Sequence, residues 1–250
     1  MLEGIEFVDA DCMIGPWPMR NLAYSSSEEL MKQMDRYGID RALVFHSLSW
    51  TYHPEEGNMA LKRILSEGII DKQRLLPLYC FVAYEALESK ALDKYQVRAV
   101  RVFPSINNFP LTSWASGEFL ELLVKREISL WVDIFHTEWT HLQETLITYP
   151  ELKVVLLGAH YQDNRKIYQL LKKYQNLYMC TSYFEAFDAL RYICDHIGAE
   201  RLLFGSRMPF YDAGAPIWNV LRSPLSLREK QLIAAGNLYR LLGKKERSDD

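Results

Sequence analysis

Segments with strand character alternate with segments of helical character along the whole chain. Eight apolar runs of strand length occur, and each is followed by a stretch with the residue spacing of a helix. The runs cover residues 5–15, 41–46, 75–82, 97–103, 130–136, 152–157, 177–181 and 201–205. A strand-helix unit that occurs eight times predicts an α/β protein with a single (β/α)8 barrel. A doubly wound sheet is the alternative fold, but no Gly-x-Gly-x-x-Gly motif follows the first run.

The length of the chain fits that architecture. Its 250 residues contain no linker-like stretch and no internal repeat. We therefore predict one domain over residues 1–250, in which residues 244–250 form a frayed tail.

Composition and charge exclude several classes of function. The net charge of −3 offers no basic surface for nucleic acid, and no apolar run approaches the ~20 residues of a membrane span. The first residues lack a basic segment followed by an apolar one, so we do not expect secretion. The four cysteines are far apart and form no Cys-x-x-Cys pair, which fits a reducing compartment. We expect a cytoplasmic protein that acts on a small molecule.

The first strand carries two acidic residues, Asp9 and Asp11, two positions apart. Residues i, i+2 and i+4 of a strand share a face, so Asp9, Asp11 and Met13 are predicted to point together. Buried carboxylates require a cation, a metal or hydrogen bonds. For Asp9 we favour hydrogen bonds to backbone amides or an ion pair with Arg207.

Polar residues also lie at the carboxyl ends of the other predicted strands, which form the active-site face of such a barrel. These candidates are Asp11, His46, Arg101, His136, His160, Ser182 and Arg207. His136 fits a hydrogen-bonded interior histidine as well as it fits a proton carrier. Asp133, between Val132 and Ile134, is interpreted as a partner for a helix outside the barrel.

Several segments resemble the amidohydrolase-related, metal-dependent hydrolases. Residues 8–15 are similar to the opening Asp-x-His-x-His-x-Gly segment of that family, and residues 132–137 to the strand that ends in a ligand histidine. Residues 201–209 resemble the Gly-[Ser/Thr]-Asp-x-Pro segment, and residues 236–243 the closing Asn-x-x-Arg-Leu-x-Gly helix. The subgroup that includes aminocarboxymuconate-semialdehyde decarboxylase is the most similar. The resemblance implies an amidohydrolase-type barrel that hydrolyses or decarboxylates a small carboxylated or cyclic substrate.

The chain departs from that family pattern at the metal ligands. Asp11 and Met13 stand where the resemblance implies a histidine pair, and Arg207 stands where it implies an aspartate. A thioether is a poor ligand for a hard divalent ion, whereas a guanidinium forms strong bidentate pairs with carboxylates. We therefore expect Arg207 to be the counter-charge of the aspartates and predict no metal and no cofactor.

A divalent metal such as zinc is the alternative. His136 falls on a ligand position of the resemblance, while Gly158 stands at the position of the family's strand-six histidine, with His160 two residues later. A non-standard site could then use Asp11, His136 and His160, because three protein ligands and one open position make a catalytic zinc site.

These observations give one assignment of roles and two alternatives. We predict Asp11, His136 and Arg207 as catalytic residues, and Arg101, His46, His160 and Ser182 as substrate-binding residues. The first alternative is an inactive relative that binds a small anionic ligand without a metal. The second is an enzyme with the non-standard metal site. By analogy with related barrels, a homodimer is a further expectation.

Overall fold

In the part of the chain that the structure describes, nine short parallel strands form the barrel wall. The computed structural model describes residues 4–67, 73–88, 91–186 and 188–244, so the predicted frayed tail lies, except for Lys244, outside the described residues. The strands are β1 (Val8–Ile14), β2 (Arg41–His46), β3 (Leu75–Pro77), β4 (Tyr79–Cys80), β5 (Ala99–Val102), β6 (Ser129–Asp133), β7 (Val154–Leu157), β8 (Leu177–Cys180) and β9 (Leu202–Leu203).

Two sheets, β1–β2–β3 and β4 to β9 in sequence order, together make the eight-stranded arrangement that the sequence predicts. β3 and β4 are parts of one predicted strand. The wall continues across their junction, because the Leu78 amide donates to the Val44 carbonyl at 2.7 Å. On the other side, the Ala10 amide donates to the Phe204 carbonyl at 2.9 Å, which joins β1 to the chain after β9.

Helices follow the strands, as predicted. They are α1 (Ser27–Tyr37), α2 (Leu48–Thr51), α3 (Pro54–Ser66), α4 (Ala83–Glu88), α5 (Ala91–Tyr95), α6 (Ser113–Lys125), α7 (Trp139–Thr148), α8 (Asn164–Lys173), α9 (Ala189–His196), α10 (Gly214–Arg222), α11 (Leu227–Gln231) and α12 (Asn237–Leu241). A capping box of Ser26 and Glu29 starts α1. Of the helices in the described ranges, none combines the length and the apolar character of a membrane span.

The hydrophobic core has an outer part between wall and helices and an inner part inside the barrel. On β6, Leu130 and Val132 belong to the outer part and Trp131 to the inner part. Strand alternation therefore turns Asp133 into the barrel with Trp131. The interpretation of Asp133 as a partner of an outer helix is wrong, because its residue spacing from Trp131 places it on the inner face.

A bulge interrupts β1 between its two aspartates. Asp9 pairs with Ala42 and Cys12 with Val44, so residues 10 and 11 both oppose Leu43. An extra residue on one strand shifts the alternation of side chains from that point on. The prediction that Asp9 and Asp11 share a face is therefore wrong.

The two aspartates consequently have different partners. Asp9 is fully buried, and one of its oxygens accepts hydrogen bonds from the backbone amides of Asp11 and Ser206, both at 3.0 Å. This confirms the favoured reading of Asp9 as a residue that binds backbone amides. Asp11 lies beyond the bulge and contacts side chains inside the barrel.

Candidate active site

Four charged side chains alternate in sign at the carboxyl end of the barrel. Arg101 Nη1 on β5 lies 2.9 Å from Asp11 Oδ1. Arg207, just after β9, places Nη2 2.5 Å from Asp133 Oδ2 and Nη1 3.7 Å from Asp11 Oδ2. Arg101 Nη2 lies 3.8 Å from the same Asp133 oxygen and completes the cluster. We call these residues the charge ring.

Mutual neutralisation allows the charge ring to be buried. The side chains of Asp133, Arg101 and Asp11 are 0%, 1% and 3% exposed, and that of Arg207 is 10% exposed. Burial alone would raise the pKa of Asp133, but Arg207 and Arg101 outweigh it and hold this pKa below its usual value. Burial also opposes the charge of Arg207, yet Asp133 and Asp11 raise its pKa above the ordinary range. Asp133 is therefore ionised at neutral pH and Arg207 is a permanent cation.

Gly158 provides the space for the Asp133–Arg207 pair. It directly follows β7 with a φ of 67°, in the left-handed region that glycine adopts without strain. A Cβ atom at this position would lie 2.5 Å from Asp133 Oδ1 and 3.0 Å from Arg207 Nη1. The resemblance noted in the sequence implies a histidine at this position, and a histidine side chain there would collide with the pair.

The prediction of Arg207 as the counter-charge of the β1 aspartates holds in part. Arg207 lies 3.7 Å from Asp11, but its hydrogen bond goes to Asp133. Arg101 makes the hydrogen bond to Asp11 instead. The sequence offered a signal for Asp133, its two-residue spacing from Trp131, which outlines the inner face of β6.

His136 follows β6 on a short 3-10 helix, Ile134–His136, and is 7% exposed. Its Nδ1 atom lies 3.1 Å from Ser105 Oγ, and its Nε2 atom has no hydrogen-bond partner among the described residues. The ring makes edge-on contacts with Trp50 and Phe103, at centroid distances of 5.0 and 5.5 Å.

The environment of His136 keeps its ring neutral. Burial lowers its pKa to about 4; Asp133 opposes this shift, and Arg101 and Arg207 add to it. At pH 7 the ring therefore carries no charge, and its free nitrogen can accept or donate a hydrogen bond depending on the tautomer.

The remaining predicted residues differ in their distance from the charge ring. Ser182 Oγ donates to Asp11 Oδ2 at 2.7 Å, so Ser182 belongs to the site. His46 is buried and accepts a hydrogen bond from the Leu48 amide at 3.2 Å. Burial, together with the charge of Arg63, lowers the pKa of His46. No contact between His46 and the charge ring occurs in the described part of the chain.

His160 lies at the rim of the barrel mouth. Its Nδ1 atom accepts a hydrogen bond from the Gln162 amide at 3.3 Å, and its ring centroid lies 5.1 Å from that of Tyr183. Tyr183 in turn lies 5.8 Å from the guanidinium carbon of Arg207. Among the described residues, Tyr183 therefore lies between His160 and the charge ring.

The two halves of the barrel mouth are built differently. Over Arg101, aromatic rings form a cap: Trp17, Phe45, Trp50, Phe103 and Phe210. On the side of β8 and β9, beside Ser182, there is an open cavity of about 240 Å³. A ligand therefore has room on the Ser182 side of the charge ring.

Comparison with known protein families identifies the family of the chain. Residues 54–244 match the amidohydrolase family model, which is more than half of the chain, so the chain belongs to this family. No curated protein matches the sequence.

Solved structures share the fold of the chain. The structure of 2,6-dihydroxybenzoate decarboxylase from Rhizobium has a TM-score of 0.77 and 13% identity, over 96% of this chain and 99% of that chain. The structure of 5-carboxyvanillate decarboxylase from Sphingomonas paucimobilis has a TM-score of 0.72 and 14% identity, over 96% and 100%. Dihydroxybenzoic acid decarboxylase from Polaromonas sp. JS666, with bound manganese and 2-nitroresorcinol, has a TM-score of 0.69 and 15% identity, over 96% and 97%. The prediction of an amidohydrolase-type barrel is confirmed.

The prediction of no cofactor is contradicted. The Polaromonas structure contains manganese, whereas the expectation of no cofactor rested on the replaced ligands and on the charge of Arg207. Replacing a ligand at one position does not exclude binding through other residues of the same mouth.

The side chains nevertheless do not form a metal site in this arrangement. Within the described ranges, no three or more His, Cys, Asp or Glu side chains lie close enough to hold one ion. Both oxygens of Asp11 accept hydrogen bonds, and the Nδ1 atoms of His136 and His160 each have a partner. The alternative ligand set of Asp11, His136 and His160 is therefore not assembled, and the roles below involve residues of the chain alone.

Proposed function

We propose that the chain is a carboxy-lyase or amidohydrolase-like enzyme that binds a small carboxylated substrate at the carboxyl end of the barrel. Its family and its decarboxylase neighbours support this class of reaction. Arg207 is proposed to hold the substrate carboxylate, because guanidinium groups bind carboxylates through paired hydrogen bonds.

The observation that carries the proposal is the free donor of Arg207. Its Nη1 atom has no hydrogen-bond partner among the described residues, although the residue is only 9% exposed. Asp11 lies 3.7 Å away, within Coulomb range but beyond hydrogen-bond length. A buried N–H group without an acceptor is costly. A bound carboxylate would satisfy it.

Of the two predicted proton carriers, we favour His136. Asp11 is bonded through both oxygens, to Arg101 and to Ser182, whereas His136 Nε2 is free among the described residues. Loss of CO₂ leaves an electron pair on carbon that must take up a proton, and hydrolysis requires a base that accepts one from water. A neutral imidazole at pH 7 can accept the proton from water in hydrolysis, and in decarboxylation it has to take up a proton from solvent before it passes one to carbon. Ser105 fixes the orientation of the ring.

The same contacts support a second candidate, a relative that binds a carboxylate without turnover. Each oxygen of Asp11 accepts one hydrogen bond, from Arg101 Nη1 and from Ser182 Oγ, so these contacts hold the carboxyl group in a fixed orientation. If His136 proves dispensable as well, this candidate gains support.

The test uses calorimetric binding and turnover with a panel of small aromatic carboxylates. Arg207→Gln is expected to weaken binding about 10- to 100-fold, the effect of losing a charge-assisted hydrogen bond of ~1.5–3 kcal/mol. The control variant Arg240→Gln removes an exposed arginine on α12 and should bind like the native chain. Unchanged binding by Arg207→Gln would contradict the proposal. Turnover that is lost in His136→Gln, with binding retained, would separate the enzyme from the binding relative.

A further inference from the structure

The cavity beside the charge ring is large enough to hold part of a small substrate. It lies between the chain after β8, the chain after β9 and the first turns of α10, with a volume of about 240 Å³. A cavity of ~150 Å³ can hold benzene, so this one can hold a ring with a small substituent.

Two residues connect the cavity to the charge ring. Ser182 lines the cavity and donates its hydroxyl hydrogen to Asp11. Tyr183 also lines it, and its ring centroid lies 5.8 Å from the guanidinium carbon of Arg207. A substrate whose carboxylate binds Arg207 would therefore place its far end in the cavity.

The two charged side chains that line the cavity are both negative. Glu185 and Asp212 line it, together with hydroxyl groups such as that of Thr181, and no lysine, arginine or histidine of the described residues does. Arg20 is the nearby cation on the Phe210 side, where its guanidinium carbon lies 5.8 Å from the Phe210 ring centroid.

The two carboxylates are not equally available. Asp212 accepts hydrogen bonds from the Tyr37 hydroxyl and from the Gly214 amide at 2.8 Å. Glu185 is exposed at the rim and has no hydrogen bond to the described residues. A second carboxylate in the cavity would meet like charges, whereas an amine would find acceptors.

We propose that the cavity is the specificity subsite of this enzyme, where Glu185 selects substrates that carry an amino or other hydrogen-bond-donating group opposite their carboxylate and rejects dicarboxylates. This inference rests on the proposed function, because it assumes that Arg207 holds the first carboxylate. Arg101 cannot serve a second carboxylate, because it is 1% exposed and its guanidinium carbon lies 4.2 Å from the Phe45 ring centroid.

Two probes of similar length test the subsite, para-aminomethylbenzoate and terephthalate, with binding measured by titration calorimetry. The native chain should bind the amine about 10-fold or more tightly than the diacid. Glu185→Gln should reduce this preference, and Glu185→Lys should reverse it. Glu118→Lys makes the same charge change at an exposed position of α6 and should leave the preference intact.

The outcomes separate the subsite from the proposed function. Equal or tighter binding of terephthalate by the native chain, or an unchanged preference in Glu185→Lys, overturns the subsite. If Arg207→Gln binds both probes like the native chain, or if the native chain binds neither, the proposed function fails, and the subsite fails with it. Weakening of both probes by Arg207→Gln, together with a preference that follows residue 185, supports both.

Discussion

The two arginines of the charge ring share partners but differ in surroundings. Each lies near both aspartates, and each keeps one N–H group without an acceptor among the described residues, Nε of Arg101 and Nη1 of Arg207. Arg101 is 1% exposed under aromatic rings, whereas Arg207 is 9% exposed next to Tyr183. Pairing alone therefore does not distinguish the two arginines; what differs is their surroundings, because the Arg207 side chain lies closer to the surface of the barrel mouth.

The backbone conformations of Arg101 and Arg207 also differ. Arg101 lies within β5, while Arg207 has a φ of 61°, in the left-handed region that costs a non-glycine residue ~1–2 kcal/mol. Strained residues that persist tend to occur at functional sites. The left-handed backbone of Arg207 agrees with the role proposed for this residue, and the regular strand backbone of Arg101 agrees with a structural one.

The largest expected effect comes from removing Arg101. Arg101→Gln leaves Asp11 buried without its hydrogen-bonded cation, and breaking a buried pair costs about 3–5 kcal/mol. Urea unfolding should show this loss, whereas Arg207→Gln should cost less because its side chain is partly exposed. Equal unfolding free energies of the two variants would contradict the prediction that Arg101 contributes more to stability than Arg207.

His136, which contacts the aromatic cap, should make stability depend on pH. Its folded pKa is about 4, below the ordinary value of 6.5. Between these pH values the unfolded chain binds the proton and the folded chain does not, so stability falls as pH falls through this window. Urea midpoints of His136→Gln should vary less over the window than those of the native chain. His160→Gln, at the rim, is the control and should retain the native slope.

Gly158→Ala should disturb only the Arg207 side of the charge ring. The new Cβ atom would lie 2.5 Å from Asp133 Oδ1, which is a clash. The alanine backbone would also have to adopt a φ of 67°. We expect a loss of about 2–3 kcal/mol in unfolding free energy, together with weaker carboxylate binding. Gly4→Ala has a similar φ of 77° with no atom within 4 Å of the added Cβ, so it measures the backbone cost alone. A matching loss in both variants would show that the clash is absent.

The smallest effect concerns the backbone of Arg207. Arg207→Gly and Arg207→Ala both remove the guanidinium, but glycine adopts the left-handed φ without strain. Arg207→Gly should therefore be about 1 kcal/mol more stable than Arg207→Ala in thermal or urea unfolding. Greater stability of the alanine variant would contradict the strain at this position.

Some features of the site were accessible from sequence and others were not. Strand periodicity predicted β2 with its observed ends, Arg41–His46. The polar strand ends included Asp11, Arg101, Ser182 and Arg207, which the structure brings together. The bulge in β1 was not predicted, because an extra residue shows itself only against the partner strand.

The amino-acid sequence by itself determined the barrel and the kinds of residues at its mouth, because periodicity and strand ends are local properties. Only the tertiary structure decided which charge meets which. Three residues that are far apart in the chain meet just after β7, namely Asp133, Gly158 and Arg207. The Asp133–Arg207 pair fits there only because Gly158 has no side chain. Pairing between distant residues depends on distances of a few ångströms, and those distances follow from packing across the barrel.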